Sequence, residues 1–91
     1  MTQVGETVIV VLQRSNVVVG VVAELGHEVT LRPAAVVRRW GTTRGLGQLA
    51  AHGPTADTVL DPCDETRYHV LTDVLTMPCR PEAWAGRIGE P

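Results

Sequence analysis

The chain has 91 residues, about the length of one domain, which leaves no room for a catalytic domain plus a regulator. Apolar residues make up 44% and valine alone fills fifteen positions, while phenylalanine and lysine are absent and Tyr68, Trp40 and Trp84 are the only aromatics, so the core must be aliphatic. Eight basic against ten acidic residues give a net charge of −2, which argues against a dedicated polyanion binder and against nucleic acid as a partner.

Glu6 to Arg14 is largely β-branched, Ser15-Asn16 supplies turn chemistry, and Val17 to Ala23 is a second valine-rich run, the pattern of a β-hairpin. Both runs are nearly continuous in apolar residues, so both faces are expected to be covered, by other elements or by another subunit. Gly20 interrupts the second run and marks a bulge or a close backbone contact. Glu24-Leu25-Gly26-His27 makes another tight connection, and Glu28 to Arg32 alternates as a third strand that Pro33 stops. Ala34 to Trp40 suits either a helical turn or a strand, and its valines and tryptophan favour the strand. Val36, Arg38 and Trp40 then face one way, Val37 and Arg39 the other.

Leu46, Leu49 and Ala50 stand at helical spacing before Gly53-Pro54, which predicts a short helix from about Arg44 to His52. Thr55 to Tyr68, with Asp57, Asp61, Pro62, Asp64 and Glu65, reads as a surface loop with a short extended piece at Thr58 to Leu60. His69 to Met77 returns to strand composition, and Pro81 with Glu82 beside it starts a brief last helix ending near Gly89. The expected fold is therefore α+β in one domain, residues 1–91: a small, strongly curved antiparallel sheet of four to five strands, open or forming a small open barrel, with two short helices.

No apolar run approaches the ~20 residues of a membrane span, and the amino-terminal stretch lacks the charge pattern of a secretory signal. A cytoplasmic protein is expected, with Cys63 and Cys79 as reduced structural thiols. Cys63, His69, Cys79 and His27 or His52 lack the close pairing of a structural zinc site, so no metal and no cofactor is expected. The acidic loop lacks the alternating ligands and central glycine of a calcium loop. Cys63 or Cys79 with His69 is the only nucleophile–base pair on offer and carries no local signature, so the chain is not expected to be an enzyme.

Two non-catalytic sites can be drawn. Trp40-Gly41-Thr42-Thr43-Arg44-Gly45-Leu46-Gly47 offers backbone amides, two hydroxyls and nearby arginines, an anion or nucleotide site formed by Arg38, Arg39, Thr42, Thr43, Arg44 and Gly45; the plain alternative is a strand-to-helix connection with Thr42 or Thr43 as N-cap. It is not a P-loop, since no lysine is present. A self-association interface would use the hairpin valines Val17, Val19 and Val21 with Trp40 and Trp84, because a chain this short has little with which to cover a sheet twice.

The order of elements resembles a family of small proteins of unassigned function from tailed phages and prophages. The matching pieces are Val19-Gly20-Val21-Val22, Glu28-Val29-Thr30-Leu31 and Arg38-Arg39-Trp40-Gly41. They continue with Leu46-Gly47-Gln48-Leu49-Ala50-Ala51-His52-Gly53, Leu71-Thr72-Asp73-Val74-Leu75 and Met77-Pro78-Cys79. The chain departs from that pattern after Trp40, where Gly41 and Thr42 stand in place of a second aromatic. The resemblance implies a phage or prophage origin and brings no activity. Joined to the reading of the residues, it gives the expectation of a non-catalytic accessory or virion-associated protein, in the cytoplasm of a bacterial host or in the virion, that self-associates and binds phage or host protein. A counter-defence protein that sequesters a small nucleotide signal between subunits is the alternative.

Overall fold

In a computed structural model, which describes residues 2–89, the β-branched runs form strands β1 (Thr7–Leu12) and β2 (Val17–Glu24), paired antiparallel with Ile9 opposite Val19. The turn is tightest at Arg14 and Ser15, whose φ values of 65° and 63° lie in the left-handed region. Strand β3 (Glu28–Arg39) pairs with β2. Pro33 does not end it: the two strands read on either side of that residue are one, with a cis peptide between Arg32 and Pro33. The facing slips by one residue there. Val29 and Leu31 before the slip share a cluster with Ala34 after it, while Ala35 and Val37 join the opposite cluster.

The stretch read as an acidic loop supplies two strands, β4 (Val59–Cys63) and β5 (Thr66–His69). Ala34 stands opposite Cys63 and Leu31 opposite Thr66, so both strands hold the same antiparallel register with β3 from Glu28 to Val37, and it shifts only between Val37 and Arg39. They amount to one long strand interrupted opposite Arg32 and Pro33, and this raises the sheet to six strands where four to five were expected. Asp61 and Pro62 fit because β4 is a sheet edge, where a missing N–H leaves no ladder bond unmade. After β5 a 3₁₀ turn (Val70–Thr72) leads into β6 (Asp73–Pro78), which pairs with β1 and forms the other edge. The single strand read over His69 to Met77 is thus two elements. The sheet order is β4-β3-β2-β1-β6, with β5 also on β3, and the sheet is not closed.

Helix α1 (Leu46–His52) and the one-turn α2 (Pro81–Trp84) complete an α+β fold. They cover one face of the hairpin: Ile9, Val17, Val19, Ala35 and Val37 pack with Leu46, Leu49, Trp84 and Ile88. The other face is covered by the far half of β3 and by β5, since Val8, Val10, Val18 and Val22 pack with Val29, Leu31 and Tyr68. Both faces of the valine hairpin are therefore buried within this chain, and no second subunit is needed to cover them. Gly20 sits where the register of β2 against β3 shifts, and a Cβ there would lie 2.8 Å from both Leu31 Cβ and the Pro33 carbonyl oxygen. Among the described residues no helix is long and apolar enough to cross a membrane.

Candidate functional site

The arginine segment is held by its own backbone and neighbours. Arg38 and Arg39 lie next to each other at the end of β3, where its register against β4 shifts. The Arg38 guanidinium makes a two-point pair with the Asp61 carboxylate, Nε to Oδ2 at 3.0 Å and Nη2 to Oδ1 at 3.2 Å. Helix α1 starts at Leu46 with Gly45 as N-cap, so neither Thr42 nor Thr43 caps it. Thr42 Oγ1 donates instead to the Gly45 carbonyl at 2.8 Å. Gln48, at the third helical position, reaches back in the manner of a capping box: its Oε1 accepts from the Arg44 N–H at 2.8 Å and from Thr43 Oγ1 at 3.1 Å. The amide and hydroxyls that an anion would have used are thus engaged within the chain. The Arg44 side chain alone of the three arginines borders a groove, an open one of about 510 Å³ shared with Thr43, Gly47, Gln48, Ala51 and His52.

Of the residues read as an interface, Val17, Val19 and Trp84 are 5%, 0% and 3% exposed and belong to the chain's own core. Their assignment to an interface is corrected on that ground, since side chains so enclosed present no surface to a second copy. Trp84 is a core plug whose indole N–H donates to the Leu49 carbonyl at 3.1 Å. Val21 is half-buried beside a cleft of about 260 Å³ lined in part by Pro33, Pro81 and Ile88. Trp40 stays 44% exposed just after β3, and its carbonyl accepts from Thr58 Oγ1.

The thiols and acids form no shared centre. Both cysteines are free, and among the described residues no three His, Cys, Asp or Glu side chains gather where they could hold a metal ion. Burial, with Glu6 nearby, pushes the Cys79 thiol up to about 12. Because the thiolate is the reactive form, iodoacetamide is expected to modify half-buried Cys63 first and Cys79 at least about ten-fold more slowly in the native protein; equal rates, read by mass spectrometry, would contradict this packing. Burial, and then the Asp73 carboxylate, push Tyr68 up to about 12. Across β3 and β5, hydrogen bonds from the Arg32 and then the Arg67 guanidinium hold Glu65 below the usual carboxylate range, a network that ties the two strands where they are interrupted.

Exposed apolar side chains concentrate elsewhere. Of the eight large apolar residues that remain exposed among the described residues, four lie within six positions: Val70, Leu71, Val74 and Leu75, with Leu71 at 79% and Val74 at 67%. They belong to the 3₁₀ turn and to the edge strand β6. The one charged residue among them, Asp73, is turned inward, with Oδ1 buried and Oδ2 accepting from Thr76 Oγ1. No protein-family model matches the chain, and no curated protein does. The functional reading therefore rests on this geometry. The pattern Val70-Leu71-Thr72-Asp73-Val74-Leu75, apolar at both alternations with a single acid, is the signal by which the sequence could have pointed to this face.

Proposed function

We propose that the protein is a non-catalytic, self-associating interaction module of the phage accessory or virion-associated kind, and that its copies meet through residues 70–75. The observation that carries this reading is the concentration of exposed apolar side chains in the 3₁₀ turn and along the β6 edge. These four residues together expose on the order of 400 Å² per copy, the size of the largest apolar patch of a typical monomer, which is often functional, and about half of one partner's share of a standard interface.

A second copy suits this segment because a two-fold axis brings only the residues at its centre near their own mates, so an unpaired charge there would meet itself. The inward Asp73 carboxylate leaves that centre without one. The register shift between Val11 and Leu12, together with Pro78 at the end of β6, limits continuation of the ladder, so side chains carry the contact. We further read the sheet as strongly curved, approaching an open barrel, because Tyr68 of β5 and Val8 of β1 share one cluster.

Sedimentation of the purified protein tests the association. The wild type should form a dimer with a dissociation constant in the micromolar range, about −8 kcal/mol. Leu71→Asp should weaken it by about a hundred-fold or more, the loss expected from placing a charge in an apolar contact, with an unchanged unfolding midpoint. A monomeric wild type would contradict the proposal. Capsid or tail protein co-purifying from infected cells supports the phage assignment. A small nucleotide released from the protein supports the sequestering alternative, which now rests on Arg44 and its groove.

A further inference from the structure

The turn that displays Val70 and Leu71 is tied down by two histidines. The Val70 N–H donates to the His27 carbonyl at 2.9 Å, the Leu71 N–H to His69 Nδ1 at 3.2 Å, and Thr72 Oγ1 to the His69 carbonyl at 2.7 Å. The His27 and His69 rings lie face to face with centroids 6.4 Å apart and planes inclined by 20°. Both residues are exposed to solvent. A ring nitrogen that accepts a hydrogen bond belongs to a neutral imidazole whose proton sits on the other nitrogen. Protonating His69 therefore places an N–H against the Leu71 N–H and abolishes that bond, and protonating His27 as well sets two cations side by side.

Charged groups surround the pair. Glu28 stands opposite His69 in the pairing of β3 with β5, and it makes no ion pair among the described residues. Arg67, two residues earlier on β5, is engaged by Glu65, and Glu24 at the end of β2 lies 4.0 Å from Arg32. Asp73, after the turn, is engaged by Thr76, and Arg14 belongs to the β1–β2 turn beyond the pair Leu12–Asp73.

We propose that the His69 ring is a proton-sensitive latch that holds the Leu71 end of the 70–72 turn while it is neutral and releases that end on acidification, the ties to the His27 and His69 carbonyls being indifferent to protonation, so that the apolar side chains, on the reading above, associate at neutral pH and dissociate in acid. Imidazoles take up their proton across pH 8 to 5, which sets the range to examine.

The test is the solvent-exchange rate of the Leu71 amide by NMR, corrected for the intrinsic pH dependence, beside sedimentation at the same pH values. In the wild type, protection of Leu71 should fall at least about ten-fold from pH 8 to pH 5, and dimer should be lost over the same interval. His69→Phe, which has neither acceptor nor proton, should show low Leu71 protection at every pH, while His27→Gln should keep the transition. A pH-independent Leu71 amide in the wild type, or the same profile in His69→Phe, overturns the latch. A protein that is monomeric at pH 8 yet shows the Leu71 transition keeps the latch and overturns self-association instead.

Discussion

Trp84→Ala is expected to lower the unfolding free energy by about 3–5 kcal/mol, a large share of the roughly 5–14 kcal/mol that a chain of this length commands. The indole is 3% exposed and fills the space between α1 and the sheet beside Leu49 and Ile88. Its removal deletes the largest side chain of that cluster and leaves the Leu49 carbonyl without the indole N–H that it now accepts. Because α2 is a single turn, no hydrogen-bonded helix remains to hold it once that anchor is gone. Urea unfolding followed by circular dichroism reads the loss. The association state at concentrations where the variant is folded should be unchanged, since Trp84 offers no surface. A stability change below about 1 kcal/mol would show that the tryptophan is not the plug described.

Gly53→Ala should be nearly as damaging, on the order of 2–4 kcal/mol, from a strained backbone together with overpacking. Gly53 ends α1 with φ at 81°, a conformation that side chains disfavour. Its Cα faces the backbone carbonyl of Ala83, and a Cβ would overlap the Ala83 oxygen. The contact is between two backbones, so no side-chain rotation relieves it, and α2 would have to move away from α1. Gly47→Ala is the control. That glycine is inside the same helix with open space around it, and alanine there should be neutral or stabilising by up to about 1 kcal/mol. Equal effects of the two substitutions on the urea midpoint would contradict the close approach of the helices.

The local features of the fold were legible from residue type. β-Branched runs gave β1 and β2, Leu46, Leu49 and Ala50 at helical spacing gave α1, and Pro81 marked the start of α2. What covers the hairpin was not legible, because it depends on contacts far apart in sequence: one face is closed by Leu49 and Trp84, the other by Leu31 and Tyr68. The same hidden contacts explain the interface reading. Val17 and Val19 are surplus to a small core only until Leu46, Leu49, Trp84 and Ile88 are brought over them, a contact that spans up to 71 positions of sequence. β4 and β5 were hidden by Asp61, Pro62 and Glu65, polar residues that an edge strand accepts because Arg38 and Arg32 pair with the acids. The surroundings of the arginine segment were hidden for a related reason: Asp61, 23 residues away, pairs with Arg38, and Gln48 accepts from the Arg44 N–H and the Thr43 hydroxyl.

The central claim is that copies of the chain meet through residues 70–75. Methyl NMR over a dilution series from millimolar to micromolar protein tests it most directly, because Val70, Leu71, Val74 and Leu75 all carry methyl groups and so do the exposed Val4, Leu25 and Val36. Concentration-dependent shifts confined to the first four, following one binding isotherm, are the predicted result. Shifts that instead centre on Val36, or no shift anywhere across the range, would contradict it.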